Sequence, residues 1–161
     1  MPSKSIKIPT ITVESNDGKT FTIDEKIIRE SKLLKQMTMY SSEVDSEAVP
    51  LNHVDSKMFQ LIVDFSTLFK DVPDYIKPTD FEDSVRPKET DVGMIFIKDN
   101  IPDELIPAVM KAANCLEVDR LMDYIVYHII NILNENEDDE IRERFMIPDE
   151  YERETLRLGK K

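Results

Sequence analysis

The sequence has few of the residues from which catalytic and metal sites are usually built. Its 161 residues include two histidines, one cysteine and three glycines. A structural zinc site normally takes four cysteine or histidine ligands, so His53, Cys115 and His128 are too few to form one. Three glycines offer no glycine-rich loop for binding phosphate. We therefore expect no metal ion, no cofactor and no catalytic residue.

Other absences bear on the compartment. One cysteine permits no disulfide within the chain and no Asn-x-Ser/Thr sequence occurs, and both agree with a reducing environment. No apolar run reaches the roughly 18 residues that span a bilayer, and the segment after Met1 lacks the apolar stretch of a secretory signal. The expectation is a protein of the cytoplasm and nucleus without membrane attachment.

The charge balance excludes one class of partner. The chain carries 33 acidic and 21 basic residues, which give a net charge of -12. Such a charge repels phosphate backbones, and no basic stripe offsets it locally, so nucleic acid is not an expected ligand. With 40% hydrophobic and 34% charged residues, the composition is that of a globular protein, with room for one domain and a helical extension.

The first part of the chain has the patterns of a mixed α and β structure. Residues 11–23 alternate apolar and polar positions around Asn16-Asp17-Gly18, which predicts a β-hairpin. Asp24 is a plausible N-cap of a short helix, and a second helix follows Ser31. Residues 48–51 resemble an edge strand containing a proline, and a further helix is expected to begin near Asp55 or Ser56.

The middle of the chain changes character. Residues 71–91 contain three prolines and seven acidic against three basic residues, without sustained periodicity, and this predicts an acidic linker or long loop. Beyond it the chain is expected to be almost entirely helical, with Asn100 as the cap of a helix starting at Ile101-Pro102. Glu137 to Glu140 are interpreted as a helix start rather than as an acid–base pair.

Two apolar stretches, residues 106–118 and 121–133, dominate the last third. One face of the second stretch has helical spacing and is expected to pack into a core: Met122, Ile125, Val126, Ile129 and Leu133. Further apolar residues occupy its other sides: Leu121, Tyr124, Ile130 and Ile132. So wide an apolar surface indicates either a fully buried helix or a surface for a partner helix.

Several segments, read in order, resemble the S-phase-kinase-associated adaptor family, whose members are adaptors of SCF ubiquitin ligases. They are Ile11 to Phe21, Val49-Pro50-Leu51, Ala112-Ala113-Asn114-Cys115-Leu116-Glu117-Val118, Leu121-Met122-Asp123, and Glu140 to Ile147, which is similar to the family's Glu-Ile-Arg-x-x-Phe-x-Ile segment. The resemblance covers nearly the whole chain, and the order and spacing of the segments make the combination specific.

The resemblance implies an α+β, BTB/POZ fold followed by C-terminal helices that bind the F-box of a substrate receptor. The implied division is residues 1–70 and 100–118 for the BTB/POZ part, 71–99 for the acidic linker, and 119–161 for the C-terminal helices. The implied F-box-binding residues, which core and partner surface are expected to share, are Ile106, Val109, Met110, Leu121, Ile125, Ile129, Ile132, Ile141, Phe145 and Ile147.

The resemblance also implies a cullin-binding pair, Asn114 and Cys115. The family carries an aromatic residue where this chain has Cys115, and a thiol fills much less volume than an aromatic anchor. Residues 94–97 stand where the family carries a Trp-Asp pair followed by a phenylalanine, and only the phenylalanine, Phe96, is retained. The family also carries a tryptophan near the end of its last helix, and this sequence has none up to Lys161. These departures indicate a divergent paralogue.

Four alternatives to a complete adaptor bear on these patterns. An elongin C-like adaptor would end soon after Val118, which residues 119–147 argue against. A BTB/POZ interaction protein that binds F-box proteins but has weakened or lost cullin binding stays open, and so does a homodimer formed through apolar helices that lack their F-box partner. A hydrolase using the clustered carboxylates would lose activity on changing Glu137 or Asp139, but no nucleophile or pocket signature supports it.

Overall fold

A small sheet organises the first part of the molecule. The structure, a computed structural model, describes residues 10–40, 47–79 and 86–159. Strands β1 (Thr10–Ser15) and β2 (Thr20–Asp24) form the antiparallel hairpin that the alternation predicted, with Val13 opposite Phe21 and with Gly18 at a φ of 81° in the turn. Strand β3 (Val49–Leu51) pairs parallel to β1, so the order is β2-β1-β3 and the predicted edge position of β3 is confirmed.

The hairpin turn is fastened to the helix that follows β3. Helix α3 (Ser56–Thr67) begins after Asp55, whose carboxylate accepts a hydrogen bond from the Met58 amide at 2.8 Å. Asp17 in the turn accepts from the Ser56 amide at 2.9 Å and from the Ser15 hydroxyl at 2.6 Å. Two carboxylates therefore satisfy amides that the first turn of α3 leaves without helical partners.

The other helices begin and end at residues given by local signals. Asp24 caps the short α1 (Glu25–Ile28), as predicted, and α2 (Lys32–Tyr40) follows Ser31. Later come α4 (Val92–Asn100), a 3-10 turn (Asp103–Leu105), α5 (Ile106–Cys115), α6 (Asp119–Glu135), α7 (Asp138–Arg144) and α8 (Glu150–Leu158). Glu140 accepts a hydrogen bond from the amide of Glu137 at 3.1 Å, so the acidic run does form the start of a helix.

The structure differs from the sequence expectations around residue 100. The segment assigned to the linker, residues 71–99, ends in α4, whose Met94 and Ile97 are buried, while residues 80–85 of that segment lie outside the described part of the chain. Asn100 is the last residue of α4 and not the cap of a new helix. Its side-chain Nδ2 donates to the Phe96 carbonyl of the same helix at 3.0 Å. The next α-helix begins only at Ile106.

One apolar core joins the sheet to the C-terminal helices. Ile11 and Val13 of the sheet belong to the same buried cluster as Leu121 and Ile125 of α6. Four aromatic rings, Phe65, Phe69, Phe96 and Tyr124, pack within or against this cluster, and the ring centroids of contacting pairs are 5.1 to 5.9 Å apart. The N-terminal sheet and α6 therefore stabilise each other, although a linker separates them in sequence.

A buried ion pair crosses this core. Nε of Arg120 donates to Oε2 of Glu30 at 2.9 Å, and the two side chains are 9% and 2% exposed. The guanidinium group also lies 4.3 Å from the centroid of the Phe69 ring. Both charges are thus desolvated but hydrogen-bonded, which is the condition under which proteins bury charge.

Among the described residues, no helix combines the length and the hydrophobicity that a membrane span requires.

Candidate functional site

The turn between α5 and α6 sets the direction of the C-terminal helices. Glu117 adopts a φ of 54°, and the amide of Val118 donates to the Ala113 carbonyl at 2.9 Å, which terminates α5 in the manner of a Schellman motif. The Ser31 hydroxyl, at the start of α2, donates to the Leu116 carbonyl at 2.5 Å. The polar groups of this turn are therefore satisfied by the first part of the chain, and α6 leaves the body in a fixed direction.

Five of the ten predicted F-box-binding residues lie in the core. These five residues are only 0% to 3% exposed: Ile106, Val109, Leu121, Ile125 and Ile132. Side chains so completely covered cannot touch a partner while the chain stays folded. In the chain without a partner they support the α5 and α6 helices from inside.

The apolar face of α6 is rotated relative to the sequence expectation. Of the face predicted to be buried, only Ile125 is fully covered, whereas Met122, Val126 and Ile129 are half-buried and Leu133 is 45% exposed. The covered side contains Leu121, Tyr124 and Ile132 instead. The prediction was wrong here because apolar residues surround α6, and only the positions of α4 and α5, against which α6 packs, decide which side is covered.

The other five predicted residues lie at or near the surface. Met110, Ile129 and Phe145 are half-buried at the edge of the core, Ile141 is half-buried outside it, and Ile147 is 40% exposed. These are residues that a partner could reach without unfolding the chain. The structure thus separates the predicted set into supporting and accessible residues.

Sequence reasoning missed the most exposed apolar residues of this region. They lie on α8 and on the turn before it, and their exposed fractions are 81% for Met146, 79% for Tyr151, 60% for Leu156 and 71% for Leu158. Tyr151 and Leu158 are seven residues apart and thus share a side of α8. The sequence signal that could have predicted this helix is a capping box, Asp149 followed three residues later by Glu152. The Glu152 amide donates to the Asp149 carboxylate at 2.7 Å, and the Asp149 amide donates to the Glu152 carboxylate at 3.3 Å.

Helix α7 is attached to the body by a charge pair and by one aromatic ring. Arg144 forms an ion pair with Asp103 of the 3-10 turn, with a second contact from its Nη2 at 3.3 Å, and Phe145 packs against the core. Beside this attachment a cleft of about 350 Å³ opens among α4, α6 and Arg144. His128 lines the cleft, and burial lowers the pKa of its imidazole, so the ring is neutral near pH 7.

The predicted cullin-binding pair ends α5. Asn114 is exposed and Cys115 is half-buried, with its side chain packed against the edge of the core. A thiol packed in this way serves as a small apolar group. A surface groove of about 810 Å³ lies elsewhere, between the β2 edge, α3 and the turn at residues 100–105.

The described residues offer surfaces suited to recognition. No group of three or more histidine, cysteine, aspartate or glutamate residues among them could hold a metal ion. Helices α6, α7 and α8 carry accessible apolar side chains that the described part of the chain leaves uncovered. The fold and this surface define the class as a small α+β protein-interaction domain with a helical C-terminal arm.

Comparison with known proteins gives the family. The model of the Skp1 family tetramerisation (POZ) domain matches residues 9–71. The chain is 30% identical to SKP1-like protein 5 of Arabidopsis thaliana over 151 residues, which cover 91% of the chain and 90% of that relative. It is 27% identical over 146 residues to the protein named E3 ubiquitin ligase complex SCF subunit sconC of Arthroderma otae, with 88% of the chain and 84% of the relative covered. The chain belongs to the Skp1 family.

Membership of the family agrees with the resemblance drawn from the sequence. The α+β, POZ fold is confirmed, with the three-stranded sheet inside the matched residues and α4 to α8 beyond them. A sconC protein of Aspergillus fumigatus is similar to a comparable degree, 28% identical over 150 residues. At these identities a common fold is secure, whereas residue roles have to be argued from this chain's own geometry.

Proposed function

We propose that the chain is a non-catalytic adaptor subunit of an SCF ubiquitin ligase, in which it bridges an F-box substrate receptor and a cullin scaffold. The proposal is supported by relatives named as SCF subunits, which the chain matches over most of its length. Bridging holds the receptor's substrate near the ubiquitin-conjugating machinery, so the adaptor contributes effective concentration rather than chemistry. The outcome is ubiquitination of the substrate and its degradation by the proteasome.

The observation that carries the proposal is the uncovered apolar arm formed by α7 and α8. No residue of either helix is fully buried, yet α8 alone exposes Tyr151, Leu156 and Leu158. Removing apolar surface from water contributes roughly 25 cal/mol per Å², so a helical partner laid against this arm gains binding energy that the isolated chain forgoes. Such a surface is typical of helix-in-groove recognition.

The proposed F-box surface differs from the residues implied by the resemblance. It retains Met110, Ile129, Ile141, Phe145 and Ile147, which are accessible. It gains Leu133, Met146, Tyr151, Leu156 and Leu158, which are exposed. The five buried residues are assigned to support of the helices and are left out of the contact surface.

The proposed cullin contact is the end of α5. Exposed Asn114 can donate and accept hydrogen bonds there, and half-buried Cys115 offers a small apolar patch beside it. Because a thiol fills less volume than the aromatic residue of the family, we expect the cullin to bind more weakly than an aromatic residue at this position would allow.

The test is calorimetric titration of the full chain with an F-box segment and, separately, with a cullin amino-terminal domain. Leu156→Asp is expected to weaken F-box binding about tenfold or more and to leave cullin binding unchanged. Cys115→Tyr is expected to strengthen cullin binding and to leave F-box binding unchanged. Binding of an F-box without any cullin binding, even after Cys115→Tyr, would refute the bridging role and leave a BTB/POZ protein that binds F-box proteins alone.

A further inference from the structure

Part of the predicted acidic linker is held against the body by two arginines. Residues 72–77, here called the strap, have no regular secondary structure. Nη2 of Arg29 donates to the carbonyls of Phe69 at 2.7 Å and of Val72, and its Nη1 lies 3.4 Å from Asp74. Arg120 donates from Nη2 to the Pro73 carbonyl at 3.2 Å. Irregular backbone is thus fixed by charge-assisted hydrogen bonds.

The far end of the strap is joined to α6 by a tyrosine. The Tyr75 hydroxyl donates to Oδ2 of Asp123 at 2.7 Å, and the guanidinium of Arg120 lies 4.9 Å from the centroid of the Tyr75 ring. Burial and the adjacent carboxylate raise the pKa of Tyr75, so the hydroxyl keeps the proton that it donates. The next residue, Ile76, is 85% exposed and takes no part in this attachment.

Asp123 is a buried carboxylate whose partners come from the strap. Its residue is 5% exposed, and in the described part of the chain its side chain meets the Tyr75 hydroxyl and, at 3.9 Å, Nζ of Lys77. A buried carboxylate without a partner is strongly unfavourable. If the strap leaves, α6 must therefore shift or admit water at Asp123.

This coupling reaches the proposed partner surface. Asp123 lies on α6 next to half-buried Met122 and six residues before Ile129, which belongs to the proposed F-box surface. We propose that the strap positions α6, and that Tyr75 and Asp123 are positioning residues for its partner-facing side. The proposal rests on the proposed F-box surface for its functional consequence. Because coupling between two sites is reciprocal, a partner bound to α6 should also hold the strap in place.

The first experiment measures strap release in the full, free chain. Chymotrypsin cleaves after tyrosine and phenylalanine alike, so the bond after residue 75 can be followed by mass spectrometry in both the parent and Tyr75→Phe. The variant loses the hydrogen bond to a carboxylate but keeps the ring. We expect cleavage there to be about tenfold faster in Tyr75→Phe and in Asp123→Asn. Cleavage after Phe65, which is fully buried, requires global unfolding and should stay far slower than cleavage after residue 75 in the parent and in both variants.

The second experiment measures the response of α6. Amide hydrogen exchange within α6 should be faster in both strap variants than in the parent, while exchange in β1 and β2 stays the same. The matched control is Tyr151→Phe, which removes a hydroxyl from a tyrosine that is 79% exposed and should change neither cleavage nor exchange. Unchanged α6 exchange in a variant whose strap is released would overturn the proposal.

The third experiment separates this proposal from the proposed function. A bound F-box segment should slow cleavage after Tyr75 in the parent, and the two strap variants should bind the segment about three- to tenfold more weakly. A strap that served folding alone would not respond to the segment, and that outcome refutes the positioning role. If the parent binds no F-box segment, the proposed function fails, while cleavage and exchange in the free chain still decide whether the strap controls α6.

Discussion

The ion pair between Glu30 and Arg120 joins residues that are ninety positions apart in sequence. The guanidinium group of Arg120 donates hydrogen bonds to the Glu30 carboxylate and the Pro73 carbonyl. It also lies over the rings of Phe69 and Tyr75. Lysine could not replace these contacts, because a single ammonium lacks the planar fork that serves several acceptors at once. The pair therefore specifies how the α1 region, the strap and α6 meet.

Loss of one partner from this pair should be costly. Glu30→Gln leaves the buried Arg120 charge without its carboxylate, and removing one member of a buried pair typically costs about 3 to 5 kcal/mol. We expect a fall of that size in the free energy of unfolding, measured by urea denaturation. The matched control is Asp71→Asn, which breaks a pair with Lys26 whose side chains are 69% and 54% exposed, and should be neutral. Equal stability of the two variants would contradict the assignment.

Gly93 is required for the close approach of α4 to the aromatic cluster. A Cβ at this position would lie 2.5 Å from Cε1 of Tyr124 and 2.9 Å from Cζ of Phe69. Both rings are packed on their other sides, so neither can move away freely. The glycine thus allows α4 and α6 to pack against each other.

Gly93→Ala should accordingly destabilise the chain by about 1 to 3 kcal/mol, the usual range for overpacking a core. The measurement is the urea midpoint at an unchanged slope. Gly159→Ala serves as the matched control, because a Cβ there meets only the Thr155 carbonyl, at 3.3 Å, at the exposed end of α8. A neutral Gly93→Ala would mean that α4 and α6 lie farther apart than the structure places them.

Among the elements, the hairpin and α3 are joined by the Asp17 carboxylate. Hydrogen bonds from the side chains of Ser15 and Ser56, with smaller help from the Ser56 amide, lower the pKa of Asp17 from 3.8 to about 2. Since this pKa lies below the unfolded value, the stabilisation is complete above about pH 4 and disappears as the pH falls toward 2.

Asp17→Asn should therefore be less stable than the parent near neutral pH, and the difference should shrink between about pH 4 and pH 2. The measurement is the urea midpoint across this pH range. Ser56→Ala, which removes one donor, should show part of the same pH-dependent difference. A parent–variant difference that is constant from pH 7 to pH 2 would exclude the proposed role of the carboxylate.

Elements with strong local signals were predictable and those defined by packing were not. The hairpin, the caps Asp24 and Asp55 and the start of α7 follow from turn and capping chemistry that acts within four residues. The division implied by the resemblance counts residues 92–99 as linker, although the chain beyond residue 91 is expected to be helical, and the structure forms α4 there. Its helical state depends on the burial of Met94 and Ile97 against distant parts of the chain.

For the whole molecule, the apolar arm and the acidic charge oppose each other. Exposed Tyr151, Leu156 and Leu158 favour association with any apolar surface, including a second copy of the chain. The net charge of -12 repels a second copy, and salt screens this repulsion. The balance between the two forces sets the state of the free chain.

We expect a dimer of the free chain that becomes more populated with protein concentration and with ionic strength, measured by sedimentation velocity. Leu156→Asp should abolish it, because it places a charge on the arm. The matched control is Gln60→Glu, which adds the same charge at an exposed position of α3 and should leave most of the dimer population intact. An F-box segment should compete with the dimer. A monomer at all concentrations, or equal effects of the two variants, would rule out association through the arm.

The class, the order of most elements and the family follow from the sequence alone, because turns, caps and apolar periodicity are local and because the matching segments occur in order. The sequence could not decide which apolar residues serve the core. Ile125 and Leu156 are the same kind of residue, yet one is fully covered and the other is 60% exposed. Burial depends on neighbours distant in sequence, as does the meeting of Tyr75 with Asp123. Only the tertiary structure brings these residues together, and so it alone separates the core from the surface left for a partner.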